Sequence, residues 1–209
     1  MDNGWLKFAS SLGAALAVAG IGLIAIDRPD RTPPTGGARH EIPEPSSRAL
    51  QEGDLIFRRG AGLWSALFAE ASRQDHRYSH VGVALRAGSG EWVVIHASAS
   101  DLTGVGCVDI ESLAGFLGEA VAWEIRRPAI PGEALPAFIE TLRRAARDHT
   151  PFDADFDLGS TEQVYCTELV WRAWMVATGT DPIPEKTMWR DKLRIISIED
   201  LLQVTAPAP

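Results

Sequence analysis

The feature that most restricts the fold is a pair of strand-like runs between residues 79 and 98, SHVGVALRAGSGEWVVIHAS. Valine and isoleucine are frequent in both runs, and the residues between them include the glycines that a turn uses. Such runs on either side of a turn predict two antiparallel strands joined as a β-hairpin. We therefore expect an antiparallel sheet in the folded part of the chain.

A histidine lies near the outer end of each predicted strand, His80 on the first and His96 on the second. With a three-residue turn at 87–89, Val83 lies opposite Val93 and His80 lies opposite His96, so that the two imidazoles are neighbours on one face. With a turn of two or four residues the pairing moves by one and the histidines point to opposite faces. The sequence leaves the turn length open, and a histidine at a strand end is also typical of an ordinary structural residue.

Strand-like and helix-like patterns alternate along the rest of the folded part. We predict strands at 55–57, around Cys107 with a helical turn starting near Asp109, and at 121–128 with Val121, Trp123 and Ile125 on one face. We predict helices at 63–72 and 131–149, and a third helix that starts near Cys166 and ends at Gly179. A chain of 209 residues with 45% hydrophobic and 23% charged residues is expected to hold one catalytic-sized domain. The prediction is an α+β domain over residues 49–205, with an antiparallel sheet packed against the helix that begins at Cys166.

The N-terminal part of the chain does not fit that domain. Residues 8–26, FASSLGAALAVAGIGLIAI, contain no charged side chain. About 18 to 20 apolar residues can cross a bilayer as a helix, whereas the core of a signal peptide has about 7 to 15. We predict a membrane anchor or signal segment at 1–27 and a Pro- and Gly-rich linker at 28–48. The domain is then expected on the exported side of the cell membrane, or secreted if the segment is cleaved after Ala19, although the flanking basic residues set no orientation.

Charge and cysteine content exclude several classes of function. The formal net charge is -8 at pH 7 and no basic patch is present, which argues against a nucleic-acid partner. Two cysteines are too few for a disulfide framework, and neither lies in a CxxC pair typical of zinc or redox sites. Cys107 has no histidine or cation close in sequence and is predicted to be a core residue. A single disulfide between Cys107 and Cys166 remains open.

Cys166 lies near the predicted start of the helix that ends at Gly179, within VYCTELVWRAW. Unpaired backbone N–H groups and the positive end of the helix dipole favour a thiolate there and lower the pKa of the thiol. A neighbouring histidine would complete a nucleophile and its base. The alternative is a small buried core residue, because free cysteine is among the most buried residue types.

Four short motifs follow one another along the chain: GDLIF at 53–57, SHVGV at 79–83, VIHA at 94–97 and YCTELV at 165–170. Together they resemble the permuted papain-like cysteine hydrolases of the NlpC type, and among these the YiiX/YaeF-like branch. The resemblance extends over roughly residues 53–179. It implies a permuted papain-like fold and a chain order of histidine, third polar residue and cysteine.

The resemblance assigns roles to four residues of this chain. It implies that Cys166 is the nucleophile, His80 the general base and His96 the third member of a Cys-His-His triad. Tyr165 matches an aromatic residue often found before the nucleophile. Members of this branch often have glutamate at the position of His96, whereas the related lecithin retinol acyltransferase-like proteins have histidine there. If the histidines do not face each other, Asp101, just past the second strand, is the next candidate for the third member.

The reaction implied by the resemblance is hydrolysis of an amide or ester bond through a thioester on Cys166. Its substrate would be a cell-wall peptide or an acylated lipid or lipopeptide, and no metal or organic cofactor is implied. Backbone N–H groups near Cys166 would stabilise the oxyanion. Two alternatives stay open: a lipid acyltransferase that uses the same Cys/His pair, and a non-catalytic binding module tethered to the membrane.

Overall fold

A computed structural model describes residues 50–60, 63–100, 102–118 and 120–209. The predicted membrane segment, the linker and the candidate Asp101 lie outside these residues. Within the part of the chain that is described, no helix is both long enough and apolar enough to cross a membrane.

The described residues form strands and helices in mixed order. They are β1 (Leu55–Arg59), α1 (Leu63–Ala71), β2 (His80–Arg86), β3 (Trp92–Ala99), β4 (Gly106–Ser112), α2 (Leu113–Gly118), β5 (Ala122–Pro128), α3 (Leu135–Arg147), α4 (Cys166–Thr178), β6 (Thr187–Trp189), β7 (Leu193–Ile195), α5 (Ile198–Gln203) and β8 (Thr205–Pro207). Helix α4 begins at Cys166, which confirms the prediction that this residue lies near a helix start. Gly179 ends this helix with a φ of 69°, a left-handed conformation that glycine adopts without steric cost.

Six strands form one sheet in the order β4-β3-β2-β1-β5-β8. Every neighbouring pair in this sheet is antiparallel. Strands β6 and β7 form a separate antiparallel pair. The prediction of an α+β fold with an antiparallel sheet is therefore confirmed.

The two faces of the sheet carry cores of unequal size, because successive side chains of a strand point to opposite faces. The main core lies between one face and helices α3 and α4, and includes Phe57, Val83, Ile95, Phe138, Leu142, Cys166, Leu169 and Val170. The other face carries a small cluster, made of Leu50, Ile56, Ala84, Val94, Phe116 and Leu117. Gly82 lies on this second face, and a Cβ atom there would lie 2.3 Å from Val94 Cγ1.

The hairpin of β2 and β3 has a longer turn than we expected. Arg86 pairs with Trp92 and Val83 pairs with Ile95, so residues 87–91 connect the strands. The predicted pairing, with a turn at 87–89, is wrong by two residues. Because side-chain direction has a period of two, a shift of two still leaves both histidines on the same face.

Three further predictions around β4 and β5 are wrong. Strand β4 continues to Ser112, beyond the helical turn expected near Asp109, because its whole length pairs with β3. Cys107 is half-buried, and its Sγ lies 3.9 Å from His149 Nδ1, a residue distant in sequence. Val121 precedes β5 and is exposed.

Candidate active site

The first turn of α4, which carries Cys166, is fixed by contacts to Ile196. The Ile196 N–H donates to the Tyr165 hydroxyl at 2.8 Å, and the Thr167 hydroxyl donates to the Ile196 carbonyl at 2.6 Å. The Glu168 carboxylate accepts a hydrogen bond from the Tyr165 N–H at 3.3 Å. The fully buried Tyr165 side chain is therefore directed to Ile196 and anchors the turn that presents the cysteine.

The loop before α4 is closed by Asp153, which sequence reasoning missed. Its buried carboxylate accepts hydrogen bonds from the backbone N–H groups of Asp155, Phe156 and Asp157 at 2.9, 3.1 and 2.7 Å. The Phe156 ring packs edge-on against Tyr165, with 5.2 Å between the ring centroids. These contacts place the loop against Tyr165, the residue that precedes Cys166.

The Cys166 thiol is almost completely buried, with 1% of the residue exposed. Burial raises the pKa of this thiol from 9.0 to about 12. The backbone N–H groups of Val81, Thr167 and Cys166 and the charge of Arg58 lower the pKa, but their combined effect is smaller. The helix terminus thus acts in the predicted direction, while the prediction of a lowered pKa is wrong for this structure. Cys166 is a thiol at rest, and both cysteines are free, so the Cys107–Cys166 disulfide is not formed.

The two predicted histidines lie side by side. His80 Nε2 and His96 Nδ1 are 2.9 Å apart, within hydrogen-bond distance. The rings meet edge to face, and Phe116 of α2 packs against both, with centroid distances of 5.7 Å to His80 and 5.1 Å to His96. Because Nε2 of His80 is engaged by His96, Nδ1 is the nitrogen of His80 that remains for proton exchange with another group.

Both imidazoles are neutral at neutral pH. Burial lowers the pKa of His80 well below 6.5, and His96 and Arg58 lower it further. Burial and then Arg58 lower the pKa of His96 from 6.5 to about 4, against an opposing effect of Asp109. Arg58 pairs with His80 in the sheet register, and its guanidinium lies 4.4 Å from the centroid of the Phe116 ring. The same cation therefore acts on both histidines.

The thiol and the imidazoles belong to opposite faces of the sheet. Cys166 is part of the main core, whereas both histidines contact Phe116 of the small cluster. The pairing of β2 with β3 ends at Val83, so the strands are not paired with each other around His80. The Val81 N–H, next to His80 in the chain, lowers the pKa of the thiol. Among the described residues, however, no hydrogen bond joins Cys166 Sγ to either imidazole.

Glu111 of β4 is a second residue that sequence reasoning missed. Its Oε2 lies 3.4 Å from His96 Nε2, and 39% of its side chain is exposed, against 7% for His96. Glu111 pairs with Val94 in the register of β3 and β4, which puts it diagonally beside His96 on the same face. A continuous row of side chains therefore runs from the ends of β2 and β3 that are not paired with each other to the solvent, in the order His80, His96 and Glu111.

Comparison with known families defines the class of this protein. Residues 49–195 match a family described as permuted papain-like amidase enzyme, YaeF/YiiX, C92 family. This match covers most of the chain, and the chain belongs to this family of permuted papain-like amidases. The resemblance inferred from the four motifs is confirmed.

A solved structure of similar fold is that of metalloprotein YiiX from Escherichia coli O157:H7. The TM-score is 0.60 at 20% sequence identity, and the match covers 76% of this chain and 97% of that chain. At this identity the comparison shows a shared fold. No curated protein matches the chain significantly.

The residues described do not fit a metal centre. Within the described ranges, no group of three or more histidine, cysteine, aspartate or glutamate side chains is arranged to hold a metal ion.

Proposed function

We propose that this protein is a cysteine amidase with Cys166 as nucleophile, His80 as general base and His96 as the third member. The observation that carries the proposal is the 2.9 Å contact of His80 Nε2 with His96 Nδ1, which leaves Nδ1 of His80 for proton transfer. The backbone N–H of Val81, the residue next to His80, lowers the pKa of the Cys166 thiol, which supports a short path between the two groups. Membership of an amidase family supports the reaction class.

Attack is coupled to proton transfer, because both partners are neutral at rest. The Cys166 sulfur forms a bond to the amide carbonyl carbon while its proton passes to His80. The resulting imidazolium protonates the leaving nitrogen, the C–N bond breaks, and an amine departs from a thioester on Cys166. Water then attacks the thioester, and its proton passes through His80 to the departing sulfur. A carboxylic acid leaves and the neutral thiol is restored.

Backbone donors around the sulfur supply the stabilisation of negative charge. The N–H groups of Val81, Thr167 and Cys166 all favour the ionised thiol. Donors fixed in this way act on charge that develops on the sulfur and then on the carbonyl oxygen bound to it, without a cost of reorganisation during the reaction. Tyr165 contributes by holding the turn that aims these donors.

The proposed substrate is an amide in a cell-wall peptide or in an acylated lipid or lipopeptide. The uncharged run at 8–26 supports a position at the membrane, because it is long enough to cross a bilayer. Residues 28–48 would then tether the domain close to the exported face of the membrane, where such substrates occur. The net charge of -8 supports a partner other than nucleic acid.

The test measures products by mass spectrometry after the full-length protein is incubated with wall peptides and N-acylated amines. Wild type releases a free amine and an acid, whereas Cys166→Ser and His80→Ala lower turnover by roughly 10²-fold or more. Cys107→Ser is the matched control and keeps its activity, since Cys107 contacts His149. His96→Ala lowers turnover less than His80→Ala, because His96 orients the base, and His96→Glu restores part of the loss.

Other outcomes separate the competing functions. If activity and melting temperature fall together in Cys166→Ser and His80→Ala, the two residues have structural roles and the proposal fails. If the acyl group appears on an added amine or alcohol instead of water, the protein is a lipid acyltransferase. Specific binding without turnover assigns the membrane-tethered binding module.

A further inference from the structure

The hydrogen bond between His80 and His96 can run in either direction, and Glu111 beside His96 makes the two directions unequal. In the hydrogen bond between His80 Nε2 and His96 Nδ1, one nitrogen donates and the other accepts. If His96 donates, the remaining hydrogen of neutral His80 lies on Nδ1, and this ring has no nitrogen left to accept a proton. If His80 donates, its Nδ1 carries a lone pair and acts as a base.

The second arrangement also fixes the hydrogen of His96. When His96 accepts at Nδ1, its own hydrogen lies on Nε2, the nitrogen 3.4 Å from Glu111 Oε2. An ionised carboxylate has acceptor sites only, so it favours a ring nitrogen that bears hydrogen and disfavours one that bears a lone pair. The contact is long for a hydrogen bond, yet close enough for the carboxylate to select between the two ring forms. Glu111 thus favours the arrangement in which His80 is a base.

We propose that Glu111 is a positioning residue that acts through His96 to hold His80 in the ring form able to accept the proton of Cys166. This inference rests on the proposed function for its consequence in turnover, but the preference for one ring form exists without any substrate. During attack, Glu111 also lies at the far end of the row from the forming imidazolium. Its negative charge therefore stabilises the positive charge on His80 through the intervening neutral ring.

The other charged groups near the histidines act differently: Asp109 raises the pKa of His96 by its charge, without the ion-pair contact to a ring nitrogen that Glu111 makes. Asp109 pairs directly with His96 in the sheet register, but its Oδ1 accepts the Ile110 N–H at 2.7 Å. Arg58 opposes protonation of both rings and donates to the Phe116 carbonyl at 2.5 Å. Among the described acidic residues, Glu111 is the one that forms an ion-pair contact with a ring nitrogen of His96.

The variants that test the proposal are Glu111→Gln, Glu111→Asp and Asp109→Asn in the full-length protein. Glutamine has a donor and an acceptor, so it accommodates either ring form of His96 and removes the selection. We expect Glu111→Gln to lower kcat/KM on the order of tenfold, a part of the 10²–10⁴-fold that a general base contributes. Glu111→Asp keeps the acceptor and retains more activity. Asp109→Asn removes the same charge from the same strand, without the contact to a ring nitrogen, and is the matched control, with a clearly smaller loss of kcat/KM than Glu111→Gln.

A readout without turnover uses ¹⁵N NMR of the histidine rings in the Cys166→Ser protein. We expect the hydrogen of both His80 and His96 on Nε2, and a mixture of Nε2–H and Nδ1–H forms after Glu111→Gln. The effect on turnover is also expected to depend on the ring at position 96. In a His96→Glu background, Glu111→Gln has little further effect on kcat/KM, whereas a purely structural role would give the same loss in both backgrounds.

The outcomes of the two measurements are distinguishable. If no substrate is turned over but Glu111→Gln shifts the ring forms, the function is wrong and the positioning role stands. If the ring forms are unchanged by Glu111→Gln, the positioning role is wrong whatever the activity. An equal loss of kcat/KM in Asp109→Asn would also overturn it, because the effect would then be one of general charge.

Discussion

Alkylation of Cys166 is expected to accelerate with pH far beyond neutrality. Burial raises the pKa of the thiol from 9.0 to about 12, so the thiolate fraction at pH 7 falls from about 10⁻² to about 10⁻⁵. Below the pKa this fraction increases about tenfold with each pH unit, and the thiolate is the reactive form. The rate with iodoacetamide therefore rises about tenfold per pH unit from pH 7 to pH 10.

The assay treats the native full-length protein with short pulses of iodoacetamide and quantifies the Cys166 and Cys107 peptides by mass spectrometry. Cys107 is half-buried and outside the candidate site, and it serves as the internal reference for the reagent. The slope of the rate against pH is the decisive quantity, since restricted access to a buried sulfur lowers all rates by one factor. A rate already maximal between pH 5 and pH 7 would reveal a preformed thiolate–imidazolium pair and refute the reasoning. A plateau near pH 9 would show that the reaction follows local opening.

Two further predictions concern stability and location. Because the pKa of His96 falls from 6.5 to about 4, its contribution to stability is complete above pH 6.5 and is lost as the pH falls toward 4. Between pH 7 and pH 5 this loss is about 2 kcal/mol. Urea unfolding of wild type and of His96→Gln separates the contribution of His96 from that of Glu168, whose pKa burial raises to about 7. An equal loss of stability in acid in both proteins would contradict the prediction. In cell fractionation, full-length protein is expected to sediment with membranes and protein starting near Arg39 to stay soluble; a soluble full-length product trimmed after Ala19 would indicate a cleaved signal segment instead.

The sequence predicted the elements that are defined by side-chain periodicity. The helix at Cys166 and the antiparallel hairpin both have a repeating apolar pattern, and both are present. The turn at 87–91 was predicted too short, because glycine and small polar residues are compatible with several loop lengths. The histidines nevertheless share a face, since only an odd error in register reverses a side chain.

The candidate site was less accessible to sequence reasoning than the fold. His80 and His96 could be paired because they belong to one hairpin. Glu111 depends on the register of β3 and β4, which no local pattern defines. The pKa of Cys166 was predicted in the wrong direction, because the helix terminus is visible in the sequence, whereas the degree of burial depends on the packing of the whole domain.

The residues of the candidate site pack against two separate hydrophobic clusters, so the position of the histidines can change independently of the position of Cys166. Cys166 packs with the main core, whereas the histidines and Arg58 all contact Phe116 on the opposite face. A change of size or shape at Phe116 is expected to displace His80 and His96 while the packing around Cys166 stays the same. In the proposed mechanism, the small cluster would therefore set the distance and angle of proton transfer, and the larger core would hold the sulfur in place.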